Sequence, residues 1–182
     1  MKETKKTKVI NILGGPGSGK SSLLLALMNY CKTNSIDAEA SMEDAKERIL
    51  RGEKLQPSTQ VYLLAKQHRR ESSYYQKTDY IITDCPMWMS IAYEKELSSP
   101  PYVAKKIIKK YLAHSPNIEH THILVQRPKK YNPSGRRQDE AEAKLFDKKY
   151  LFPMIKKEFG KIPTFRTGEY SLEEIIEVLK LK

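Results

Sequence analysis

The chain has 182 residues, 39% of them hydrophobic and 30% charged, and carries a formal net charge of +11. That length suits one domain with a substantial core, and no apolar run approaches the roughly 20 residues that span a bilayer. "MKETKKTK" does not lead into a secretion-type apolar core, and Cys31 and Cys85 lack metal-like spacing, so a cytoplasmic protein with reduced thiols is expected and no membrane partner.

In chain order, "KVINIL" (8–13) alternates and ends at glycine, which predicts a buried first strand. Leu23, Leu24, Leu27 and Met28 recur at helical spacing over 21–31. "IDAEASM" (36–42) reads as a second strand, and "EDAKERILRGE" as a short helix stopped at Gly52. A long helix is expected from Thr59 to about Tyr75, capped by Ser58 or Thr59. "DYIITDC" (79–85) is an unbroken β-favouring run ending at an acid. "MWMSIAYEKEL" and "YVAKKIIKKYL" are helical, and "HTHILVQ" (120–126) is a strand. After the loop "RPKKYNPSGRR", a long helix is expected from Gln138 to about Phe159, bent at Pro153. "KIPTFRT" predicts a last strand, and Ser171 caps a closing amphipathic helix.

Strands alternating with helices define an α/β architecture, a five-stranded parallel sheet covered by helices on both faces. No linker or repeat divides the chain, so 1–182 reads as a single domain with 1–7 a basic tail and 127–138 a lid. Ligands of such folds sit at the carboxyl ends of the strands.

The chemistry starts at "GGPGSGKSS", formed by Gly14, Gly15, Pro16, Gly17, Ser18, Gly19, Lys20, Ser21 and Ser22. Gly14-x-x-x-x-Gly19-Lys20-Ser21 between a strand and a helix is the P-loop pattern. Its backbone N–H groups hold phosphate oxygens, and the helix start adds its positive dipole end. Lys20 is expected on the outer phosphates of ATP, and Ser21 on a bridging Mg2+. Asp84, at a strand end, is the candidate second support for the metal; its alternative is a strand-end salt bridge or cap. The next residue is Cys85, not the water-polarising glutamate common in motor ATPases, and no guanine-reading NKxD motif is present. These features favour transfer of the γ-phosphoryl to a bound acceptor over energy coupling.

Arg127, Lys129, Lys130, Arg136 and Arg137 crowd the loop after the fourth strand, as a lid closing over phosphates requires. Arg136, beside Gly135, is the first candidate to stabilise the transferring group, and Arg137 the second. Glu43 and Asp44 follow the second strand, where a carboxylate can take an acceptor's proton; a dipole-favoured pair at a helix start accounts for them equally well. Gln60 and Gln67 share one face of the long helix, where an amide can read a base edge. Trp88 is a candidate floor for the acceptor pocket, with core packing as its commoner use. Lys105, Lys106, Lys109 and Lys110 form a stripe opposite Val103, Ile107 and Tyr111, either a solvated face or a DNA-backbone track.

The P-loop together with "ASMEDAKERI", "QVYLLAKQHRR", "TDYIITDCPMWMS" and "NPSGRRQDEAEA" resembles the nicotinamide riboside kinase-like P-loop kinases of the AAA family, a group common in bacteriophage genomes. The resemblance runs from about Lys8 to Tyr150, and more distantly reaches the deoxyribonucleoside kinases. It implies Glu43 as base, Gln60 on a nucleobase, Arg136 in the lid, and ATP with Mg2+. Cys85 departs from the deoxyribonucleoside kinases, which carry an arginine there. The phage branch includes kinases of the hydroxymethyl group of 5-hydroxymethyluracil in DNA. A nucleoside-like acceptor is therefore expected. The specific expectation is that modified base in DNA, against free nucleosides, nucleotides or nicotinamide riboside. A nucleotide switch or DNA-associated ATPase without an acceptor is the competing class.

Overall fold

The computed structural model describes residues 5–42, 52, 57–97, 102–129 and 138–182. Five parallel strands, β1 (Thr7–Leu13), β2 (Ala38–Ser41), β3 (Tyr80–Thr83), β4 (Ile118–Gln126) and β5 (Thr164–Arg166), form one sheet in the order β2-β3-β1-β4-β5. The apolar run of "VINIL" explains why β1 is central: Val9, Ile10, Ile12 and Leu13 are all fully buried, as expected of a strand covered on both faces. The expected parallel α/β sheet of five strands is therefore what forms.

Among the described residues, two helices cover one face. In α1 (Lys20–Thr33), Leu23, Leu24, Leu27 and Cys31 point inward at helical spacing, and α7 (Leu172–Leu179) adds Ile175 and Leu179. Ser171 caps α7 as expected, its hydroxyl accepting from the Glu174 N–H while the Glu174 carboxylate accepts from the Ser171 N–H. The opposite face carries α2 (Pro57–Ser72), α3 (Met89–Glu96), α4 (Ala104–Ala113), α5 (Glu140–Phe146) and α6 (Phe152–Glu158) around Leu64, Ile91, Ile108, Phe146 and Met154. Each such buried aliphatic or aromatic side chain contributes about 1.5–3 kcal/mol by leaving water.

Several boundaries differ from the sequence reading. The start of α2 is Pro57, not Ser58 or Thr59, in keeping with proline's fit to the first helical position. It also stops at Ser72, with turns following. The helix expected from Gln138 to Phe159 is not one bent rod. A π-helical segment, Asp147–Leu151, separates α5 from α6 just ahead of Pro153, whose missing N–H prevents a regular ladder there. Asp139 caps α5 with a complete capping box to Glu142. In α4 the inward residues are Ala104 and Ile108, so Val103, Ile107 and Tyr111 flank the buried stripe. The helix expected over 43–53 lies outside the described residues, Gly52 apart. No helix among the described residues is long and apolar enough to cross a membrane.

Candidate active site

The phosphate loop leaves β1 at the carboxyl edge of the sheet and enters α1 at Lys20. Gly17 (φ 78°) and Gly19 (φ 91°) hold left-handed conformations that side-chain-bearing residues rarely adopt, which is how the loop curls back toward its own N–H groups. Gly15 is required for a different reason. A methyl group there would run into the carboxylate of Asp147, delivered by the π-helical segment. On the other flank, Thr167 after β5 donates its hydroxyl hydrogen to the Ser18 carbonyl (2.5 Å).

Lys20 Nζ donates to the Gly15 carbonyl at 3.2 Å, so the ammonium lies back along the loop it is expected to serve. The Ser21 hydroxyl donates to Asp84 Oδ2 at 2.6 Å, across 63 positions of sequence. Asp84 is one residue past β3 and 1% exposed. The parallel pairing of β1 with β3, Asn11 opposite Thr83, is what brings the two together. A hydroxyl and a carboxylate oxygen side by side are the donors a hard divalent cation accepts, and Mg2+ completes its shell with water and phosphate oxygens. The two residues therefore fit Mg2+.

Behind the loop, Arg127 and Asp147 form a buried ion pair, and Arg127 also donates to the Ala143 carbonyl at 2.6 Å. Burial raises the Asp147 carboxyl above its usual range, while Arg127 and Lys20 act in the opposite direction. A cleft of about 340 Å³ opens beside this pair, between the ends of β4 and β5, lined among others by Gln126, Lys129, Lys144, Phe152 and Arg166. In the sequence Arg127 reads only as part of a basic loop, and neither Asp147 nor Thr167 stands out. The one available signal is an acid placed mid-helix among apolar residues.

Gln60 and Gln67, the candidate base-reading amides, are both buried on α2. Gln67 Nε2 lies 2.9 Å from Ser41 Oγ, 2.9 Å from Glu71 Oε1 and 3.1 Å from Thr83 Oγ1, so its hydrogens are taken up by the protein's own oxygens. This ties α2 to the ends of β2 and β3. Trp88 is 8% exposed and packs edge-on to Phe159 (ring centroids 4.9 Å) and His122 (6.2 Å), a place in the core. Ser21 and Asp84 thus meet beside Lys20, with Gln67 on the adjoining wall and Trp88 packed in the core. Glu43, Asp44, Arg136, Arg137 and the rest of lid positions 130–137 lie outside the described residues, while Gln138 at the lid's end is buried and donates to Glu96 at 3.0 Å.

Glu71 is fully buried, and burial pushes its carboxyl up to about 7, against the weaker opposing effect of hydrogen bonds from Gln67 and Tyr75. An acid whose folded pKa is raised holds extra protons when folded. Its stability contribution is intact below about pH 4.5 and is lost as pH rises to about 7. Glu71→Gln keeps the shape and removes the charge. It is expected to stabilise the protein by up to about 3 kcal/mol at pH 8 relative to its effect near pH 4.5. Denaturant melts of both proteins at the two pH values measure this; an equal gap at both would contradict a buried, proton-holding Glu71.

A parallel sheet in this order, with a phosphate loop after its central strand and an acid after the neighbouring one, is the P-loop kinase fold. The chain belongs to the AAA domain family, whose model matches residues 9–152. No curated protein matches it. Among solved structures it is similar to a NadR protein in complex with NR (16% identity, TM-score 0.69), covering 97% of this chain but only 52% of that one. It is also similar to thymidylate kinase from Ehrlichia chaffeensis (14%, TM-score 0.63; 96% and 99% covered) and to the APS kinase CysC of Mycobacterium tuberculosis, as its Cys556Ala mutant (14%, TM-score 0.54; 97% and 99% covered).

Proposed function

We propose that this protein is an ATP-dependent, Mg2+-requiring phosphotransferase acting on a hydroxyl of a nucleoside-like acceptor. The observation that carries the reading is the Ser21–Asp84 contact beside Lys20 at the end of the central strand. Mg2+ held there with ATP neutralises charge on the phosphates. The structures it resembles are a thymidylate kinase, an APS kinase and a NadR protein bound to NR, which supports a small, nucleoside-like acceptor.

In this reading the acceptor oxygen attacks the γ-phosphorus, the bond to the ADP oxygen breaks, and the hydroxyl proton passes to Glu43, with Asp44 as the other candidate. Lys20 holds the outer phosphates, Arg136 or Arg137 closes over them from a lid at 127–138, and Gln60 faces the acceptor's base. The whole of 1–182 acts as one kinase domain, with 1–7 a basic tail. The acceptor we favour is the hydroxymethyl group of 5-hydroxymethyluracil in phage DNA, because the +11 charge suits a polyanionic substrate.

Incubation with γ-labelled ATP and either hydroxymethyluracil-containing DNA or a panel of free nucleosides tests this. Label in the DNA is expected. Label confined to a nucleoside, nucleotide or nicotinamide riboside would transfer the reading to the acceptor class that the NR-bound NadR likeness favours. Phosphate release without any labelled acceptor would make the protein an ATPase or switch. Glu43→Gln is expected to bind Mg–ATP normally yet slow transfer roughly 10²-fold or more; near-normal transfer would reassign the base to Asp44 or water.

A further inference from the structure

The surface formed by α2, α4 and α6 concentrates positive charge. We propose that this face docks the phosphate backbone of duplex DNA through Lys106, Lys109, Lys110, Arg69, Lys156 and Lys157. The inference adds a surface to the kinase reading and rests on it only for the choice of a DNA-borne acceptor.

The three helices lie side by side. The rings of His68 and Tyr111 stack with centroids 3.7 Å apart, joining α2 to α4, and Lys105 Nζ reaches Glu158 at 2.6 Å, joining α4 to α6. That ion pair removes Lys105 from the stripe read in the sequence. The remaining α4 lysines are exposed, as are Arg69, Lys156 and Lys157, and none of the six has a carboxylate of the described residues within ion-pair distance. The acids of these helices are engaged elsewhere: Glu71 is buried and Glu158 holds Lys105.

Elsewhere pairing is mixed: among the described residues Lys6, Lys77, Lys148, Lys149 and Lys161 also lack a carboxylate partner, while others are held. Lys5 is held by Asp37 and Asp79, Lys32 by Glu39, Lys144 by Glu140, and Arg166 by Glu169. On the opposite face α7 carries Glu173, Glu174 and Glu177 and no cation, with Lys180 and Lys182 just past its end.

The arrangement also costs helix stability. Lys106 and Lys110 are four residues apart, as are Lys105 and Lys109, and like charges at that spacing repel. α4 contains no acid to relieve it. A repulsive stripe extended onto both neighbouring helices is complementary to a regular array of phosphates, where each neutralised phosphate releases condensed counterions.

The test is anisotropy of a short labelled DNA duplex, unmodified and without ATP, across a salt series. The wild-type protein is expected to bind, with log affinity falling linearly against log salt. Lys106→Ala/Lys109→Ala/Lys110→Ala is expected to weaken binding at low salt about tenfold or more. Its slope should be shallower by about 0.9 for each phosphate that the missing lysines no longer neutralise. A control on the opposite face, Lys180→Asn/Lys182→Ala, should match wild type, and all variants should bind Mg–ATP equally. Failure of the wild type to bind, an unchanged slope in the triple variant, an equal loss in the control, or tighter binding to phosphatidylserine vesicles than to DNA would each overturn the proposal. Because neither nucleotide nor transfer enters the measurement, its failure leaves the kinase reading standing, and loss of Mg–ATP binding alone would leave the docking face standing.

Discussion

Lys20→Ala is expected to reduce phosphoryl transfer by roughly 10³-fold or more while leaving the fold intact. The side chain is not part of either core cluster, and among the described residues its one hydrogen bond is to the Gly15 carbonyl, within its own loop. Its removal therefore costs the fold little. The cost falls on the reaction, because charge spreads over the oxygens of the transferring group and Lys20 is the fixed cation at the mouth of α1. Backbone N–H groups of the loop remain, so weakened nucleotide binding is expected to persist. Transfer rates at saturating Mg–ATP, together with the nucleotide affinity of both proteins, separate the two effects. A variant that binds weakly but transfers at the wild-type maximal rate would assign Lys20 to uniform binding and not to the transition state.

Asp84→Asn is expected to have the second-largest effect, about 10²-fold or more on transfer, accompanied by a higher Mg2+ requirement. The amide is nearly the same size as the carboxylate, so the site at the end of β3 stays filled. What changes is charge. A neutral oxygen no longer favours a divalent cation, and the Ser21 hydroxyl, now 2.6 Å from Asp84 Oδ2, loses its ionised partner. Transfer measured over a range of Mg2+ concentrations distinguishes metal support from a structural cap. A parallel fall at every concentration would point to the cap; partial recovery at high Mg2+ is the result expected here.

The phosphate loop is legible in the sequence because its constraint is local: glycines where the backbone turns left-handed, then the lysine that starts a helix. The Ser21–Asp84 pairing is also within reach, since a parallel sheet delivers its strand ends to one edge and "YIITD" announces a strand end. What escapes are arrangements set by side-chain packing at a distance. Asp147 looks like any acid in a lysine-rich helix until the π-helical segment turns it under Gly15 and onto Arg127, twenty positions away. Thr167 lies 149 residues from the carbonyl it holds. Gln67 reads as a free amide on a helical face, but three oxygens from two strands and its own helix surround it. Trp88 is surrounded by Phe159 and His122 from separate elements, which no local pattern reveals. Periodicity identifies which faces turn inward; it carries no information on which polar groups are consumed there.

Titration of the wild-type protein with ATP in a calorimeter, with and without Mg2+, tests the central claim most directly. Clear saturable binding of Mg–ATP is predicted, weaker for AMP, which lacks the outer phosphates, and weakened again in Lys20→Ala. No heat with Mg–ATP, or equal affinity for AMP and ATP, would contradict a loop built to grip terminal phosphates.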